Sequence, residues 1–263
     1  MAISVDKYYS LDEILYNLLH DYEYRNLFLK DKFSELNISE ENLKQIQTID
    51  KEELIATSKT IVRNLLNGNI EHSGGLKTAF PGTFKELELN NIDLQQLMYE
   101  FVASKEFENY KEIPYAGDGQ CIEESFFCFL SNIEIIKSNK NIELLLKHEF
   151  LNAMISILVV NAEPAFKILS KDIKHNGHIY YASIRLDRNI AEALLGKKIQ
   201  VQQDKIIWLF AAAKNRLIKG PIEENVLQLI EIGSLQKINE MKLTSNEETN
   251  LAMSIYKLGL IKS

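Results

Sequence analysis

Histidine, cysteine and carboxylate side chains are the groups in this chain that could do chemistry, and their spacing tests each in turn. His148-Glu149 begins like the helix of a zinc protease, which needs a second histidine four residues on so that both rings share a face. Position 152 is asparagine, so the motif fails and the pair reads as a histidine and a glutamate on a helix surface. His175-Asn-Gly-His178 has plausible metal spacing across a turn, without an identifiable third ligand. Cys121 and Cys128 stand two helical turns apart near Phe126, Phe127 and Phe129, and read as small hydrophobes packed in a core. His72-Ser73 places an imidazole beside a hydroxyl, but with neither a nucleophile elbow nor a third member. A phosphate-cradling glycine loop and a Walker lysine are also missing from the sequence. No catalytic residue, metal ligand or cofactor site is therefore expected in this chain, and the reading turns to binding.

The elements that would position a binding surface follow from caps and periodicity. The 263 residues, 46% hydrophobic and 25% charged, suffice for one large or two ordinary domains. The N-terminus has no signal-peptide pattern, and the longest apolar stretch, Phe150 to Val160, is interrupted by Asn152 and Ser156. With only two cysteines, the expected location is the cytoplasm, with no membrane partner. Ser10-Leu-Asp-Glu13 is a capping box that opens a helix over about Leu11 to Leu29. Ser39, Asp50-Lys-Glu-Glu53 and Asp93 cap later helices, and Phe80-Pro81-Gly82 must break the chain between two of them. Ile113 to Gly119 is the clearest loop; helices follow at Ile122 to Leu130 and from Ile142 to about Val160. After Pro164 the residues become β-branched and aromatic, in His178 to Leu186 and again in Lys205 to Phe210.

The last quarter reads as a winged-helix-like module. Three short β-segments, Lys198 to Val201, Lys205 to Phe210 and Lys214 to Lys219, precede three helices. Pro221 suits the first turn of the first helix, Ser234 caps the second, and Gly259 ends the third. The expected fold is thus α+β and predominantly α: a helical domain over 1–165, a linker and strand region over 166–197, and the module over 198–263. Modules of this order bind DNA or a peptide. A DNA reader needs basic and amide side chains on its recognition helix, whereas Glu247 to Lys257 offers two acids and one lysine. The module carries nine Lys/Arg against seven Asp/Glu, and the whole chain has a net charge of −7. DNA binding, as by a transcriptional regulator, is disfavoured. Peptide capture on a sheet edge fits better, with Lys214-Asn-Arg-Leu-Ile-Lys219 suited to an acidic peptide.

In its pattern of strands, Glu224-Asn-Val-Leu-Gln-Leu-Ile230 and Lys257-Leu-Gly-Leu-Ile261, the module resembles the precursor-recognition element of pathways that modify ribosomally made peptides. The pyrroloquinoline quinone chaperone uses the same fold. Upstream, Arg63-Asn-Leu-Leu66, Leu76-Lys-Thr-Ala-Phe-Pro81, Phe101-Val102, Phe107-Glu-Asn-Tyr-Lys-Glu-Ile113 and His148-Glu-Phe-Leu-Asn-Ala153 occur in an order similar to that of the helical domain in certain oxidase partners. Those partners accompany multinuclear non-haem iron-dependent oxidases, such as the ones that mature methanobactin, thiaglutamate and chryseobasin peptides. The resemblance implies a non-catalytic subunit that forms a heterodimer with such an oxidase and binds the leader of a precursor peptide. The iron would belong to the oxidase. It further implies a leader groove formed by Lys214, Arg216, Leu217, Lys219, Met253 and Tyr256, and oxidase docking through Ile113, Tyr115 and Asp118. The loop Tyr115 to Gly119 and the strand pair before Lys198 have no counterpart in the family pattern.

Overall fold

A computed structural model describes residues 8–68, 74–110, 119–160, 166–199, 204–240 and 246–263. The chain is α+β and predominantly helical, with one four-stranded antiparallel sheet, and it divides into two compact units, Met1–Asn109 and Tyr110–Ser263. Among the described residues no helix is long and apolar enough to cross a membrane.

The first unit comprises α1 (Leu11–His20), α2 (Tyr22–Leu29), α3 (Glu40–Ile46), α4 (Lys51–Asn67), α5 (Leu76–Ala79), α6 (Pro81–Leu89), α7 (Leu94–Val102) and α8 (Lys105–Glu108). Its caps act locally, as the sequence leads one to expect. Ser10 accepts from Glu13 N–H while Glu13 reaches back to Ser10 N–H, and Ser39, Asp50 and Asp93 each accept from the first turn of their helices. The expected single helix over 11–29 is instead two. Asp21 is extended, and its carboxylate accepts from Glu23 N–H and Tyr24 N–H, so it ends α1 and starts α2. A short polar side chain can satisfy a helix start wherever tertiary packing requires a bend. Ile14, Leu18, Phe28, Leu36, Ile46 and Leu54 form the core beneath this bend.

The second unit comprises α9 (Ile122–Leu130), α10 (Glu134–Ser138), α11 (Lys140–Val160), β1 (Ile173–His175), β2 (Tyr180–Asp187), α12 (Arg188–Leu195), β3 (Lys205–Ala213), β4 (Arg216–Ile222), α13 (Glu224–Ile232), α14 (Leu235–Glu240) and α15 (Asn246–Leu258). The strand order is β1-β2-β3-β4, every pair antiparallel. Helix α11 packs on β2, β3 and β4, and α9 packs on α11 in turn, with the Phe127 and Phe150 rings stacked 4.0 Å apart. Tyr181, Ile207, Leu209, Ala211 and Ala213 point the other way, into a core shared with Leu227, Ile230, Ile238, Ala252 and Ile255 of α13–α15. With helices on both faces, β3 is buried through Ile206–Ala211, which is why it reads as a continuous apolar run rather than an alternating one.

Four expectations change here. The packing divides at Asn109, not near 165, because α11 lies on the sheet. Lys198 and Ile199 follow α12 outside the sheet, with Ile199 N–H donating to Glu192; Gln200 and Val201 lie outside the described residues. The strand that precedes β3 is β2, in the region read as linker. Pro221 lies in β4 opposite Trp208, and α13 begins only at Glu224. Lys214 and Asn215 are a turn rather than strand, both with positive φ (49° and 57°), the mirror-image hairpin turn whose twist matches that of the flanking strands.

Candidate peptide-binding edge

Strand β4 forms one border of the sheet, and its register decides which backbone groups face outward. Ala213 and Arg216 flank the two-residue turn and are paired, so they exchange hydrogen bonds; so do Ala211 with Ile218 and Leu209 with Gly220. The alternate residues Leu217, Lys219 and Pro221 therefore direct their peptide groups away from β3. The position of Pro221 gives the same parity independently, since proline has no N–H to contribute to a ladder and is tolerated on an edge. The open border thus offers the N–H and C=O of Leu217 and Lys219, followed by the C=O of Pro221 alone.

The side chains expected to bind an acidic peptide have different employments. Lys214 crosses to the end of α15 and donates to Lys257 O, where a cation suits the helix dipole; its methylenes lie over Gly259, at which a Cβ would come within 2.7 Å of them. The Lys219 ammonium donates to Asn152 Oδ1 on α11 at 2.8 Å, leaving only its backbone directed outward. Arg216 is exposed, with no ion pair among the described residues, and Leu217 is half-buried. Met253 and Tyr256 are exposed on α15, 39% and 37%. Tyr256 lines a shallow depression of about 490 Å³ with Leu235, Gln236, Asn239 and Ser263, and so belongs with α14 and the C-terminal end of the chain. Ile113, Tyr115 and Asp118, the expected docking residues, lie outside the described residues, as do His72 and Ser73.

The ground beneath the edge is the largest departure from the sequence reading. His148 and Glu149 are not on a helix surface: they are 7% and 8% exposed, turned into the unit. The His148 ring meets Phe210 at 5.1 Å and Trp208 at 5.6 Å, both edge-on, and neither ring nitrogen has a hydrogen-bond partner. Trp208 Nε1 is likewise unpartnered. Burial, and then the charge of Lys219, lower the His148 pKa to about 4, so its imidazole is neutral at pH 7. Periodicity could not have found this, because α11 is covered by α9 on one side and the sheet on the other and has no purely polar face.

The remaining chemical candidates serve packing. Cys121 is buried with Sγ 3.2 Å from Met154 Sδ, and burial raises its pKa, which keeps it a thiol. In the His175–His178 turn, His175 Nδ1 accepts from Gly177 N–H. Asn176 between them is the busier residue: its Oδ1 accepts from His178 N–H and Ile179 N–H, and its Nδ2 donates to Ile230 O and Leu260 O. It thereby ties the β1–β2 turn to the end of α13 and to the C-terminal tail. Glu124, also overlooked in the sequence, is buried at the start of α9 and accepts from Leu169 N–H and Ser170 N–H; burial raises its pKa. Among the described residues no group of three or more His, Cys, Asp or Glu side chains is placed to hold a metal ion.

Compared with known protein families, with curated proteins and with solved structures, the chain matches none.

Proposed function

We propose that this protein is a non-catalytic partner subunit that binds the leader of a ribosomally made precursor peptide and presents it to an iron-dependent oxidase, which modifies the peptide's cysteines. One observation carries the reading: an unpaired strand, β4, borders a sheet packed on three short helices and offers backbone donors and acceptors at Leu217 and Lys219. The succession β2-β3-β4 then α13-α14-α15 supports the winged-helix-like layout of a precursor-recognition element. Strand addition draws its affinity from main-chain hydrogen bonds and its selectivity from side chains beside the edge. Charge favours an acidic leader at this border and not over the first unit. Residues 110–263 hold 19 Lys/Arg against 18 Asp/Glu, whereas residues 1–109 hold 11 against 19.

Arg216 is the cation to test, because Lys214 and Lys219 also hold α15 and α11. Arg216→Glu is expected to weaken binding of the genuine precursor peptide by about tenfold in a calorimetric titration, with unchanged thermal stability. Unchanged affinity would move the binding site away from this border. Salt-dependent binding of duplex DNA by the same chain would favour a transcriptional regulator instead.

A further inference from the structure

We propose that the β4 border selects a large apolar residue, held in antiparallel register opposite Gly220 and flanked on the α11 side of the sheet by acidic or polar residues. The inference rests on the peptide-binding reading and adds the sequence preference of the ligand. Gly220 has φ +149°, a conformation that side-chain-bearing residues rarely adopt, so a glycine is required there by the backbone. A Cβ built at this position would meet nothing within 4 Å. Strand alternation turns this open space to the same face as Ile218 and Ile222, both half-buried against the core of α13–α15, with Leu209 paired opposite on β3. The result is an apolar notch in the border, walled by two isoleucines and floored by a glycine.

An added antiparallel strand would fill it. Leu217 and Lys219 bond outward, so Gly220 falls in a non-hydrogen-bonded pair, the kind in which facing side chains come closest. A bulky side chain opposite an edge glycine covers its bare backbone and reaches the diagonal neighbours, here Ile218 and Ile222. The peptide residues on either side of it point to the other face, where Lys219 stands. Beyond Pro221 no donor continues the ladder, which limits the partner to a short segment rather than a long strand. A second copy of this chain fits poorly: the register that sets Ile218 of one β4 opposite Gly220 of another sets Lys219 against itself, and like charges directly opposite are destabilising.

The test uses the full chain and a display library of random peptides of about 12 residues, long enough to span an edge strand. Selected peptides are expected to share a large apolar residue next to an acidic one. Ile218→Ala and Ile222→Ala widen the notch and should shift that preference toward bulkier side chains. Lys219→Pro removes an outward N–H that β3 does not use; it is expected to cut affinity at least about tenfold, while Lys219→Ala stays within about threefold. Binders indifferent to Lys219→Pro and to both isoleucine variants would overturn the register and leave the peptide reading standing. A library that yields no binder at all would overturn that reading and this inference with it. A dimer that dissociates on Lys219→Pro would assign the border to a second copy and overturn the proposal.

Discussion

Arg25 in the first unit and His148 in the second are both buried basic side chains, and their surroundings treat them in opposite ways. Arg25 is 3% exposed; its guanidinium donates to Leu18 O and Leu19 O at the end of α1 and lies 5.9 Å from the centres of the Tyr22 and Tyr99 rings. It satisfies carbonyls that a helix end leaves open, and two ring faces favour its charge. His148 is buried to a similar degree without a hydrogen bond on either nitrogen, beside an equally unpartnered Trp208 Nε1. A satisfied buried base fixes a structure, whereas an unsatisfied one costs stability that the packing around it must offset. The first unit therefore closes its polar interior, and the second leaves an unsatisfied one directly under the sheet whose border is open.

The comparison can be broken first at Arg25. Arg25→Met strands two buried carbonyls and should destabilise the first unit by about 2–4 kcal/mol, read from the midpoint of urea unfolding. A loss below 0.5 kcal/mol, within the ordinary range of surface substitutions, would show that water replaces the guanidinium and that the two sites are not opposites after all.

His148 sharpens the contrast through pH. Its folded pKa is lowered to about 4 from an ordinary 6.5, so between these values the unfolded chain binds a proton that the folded chain does not. Stability is then complete above pH 6.5 and declines as pH falls toward 4, by up to roughly 3 kcal/mol. In His148→Phe this part of the decline should vanish with little loss at pH 7, since an apolar ring leaves no orphaned nitrogen. An identical pH profile in the variant would mean that the imidazole finds a partner in solution.

The smallest expected effect lies at the turn. Lys214→Ala removes the cation at the end of α15 and should cost about 0.5–1 kcal/mol, reduced at high salt, with peptide affinity unchanged. A loss of peptide affinity without a loss of stability would return Lys214 to the binding surface.

Legibility in the sequence follows the range of the interaction. The Ser10, Ser39, Asp50 and Asp93 caps, the break at Pro81 and the helix Ile122–Leu130 were all readable, because each depends on residues within one turn of the chain. Tyr180–Asp187 and Lys205–Ala213 were recognisable as β-rich for the same reason, although only pairing makes them neighbours. At the candidate site, the basic stretch before Pro221 was visible, but the work of its lysines was not. Lys214 and Lys219 reach Lys257 and Asn152, far away in the sequence, and composition cannot distinguish a cation that faces a ligand from one that faces its own fold.

By itself the sequence determined where helices begin, where the chain turns β-rich, and that its acidity is concentrated before residue 110. Those properties are sums over local preference and charge, which need no knowledge of what lies opposite. Tertiary structure alone decided that α11 covers the sheet, that His148 is buried without a partner, and that β4 is a border with Gly220 open between two isoleucines. Burial, register and edges are relations between distant segments, and they exist only once the chain has folded onto itself.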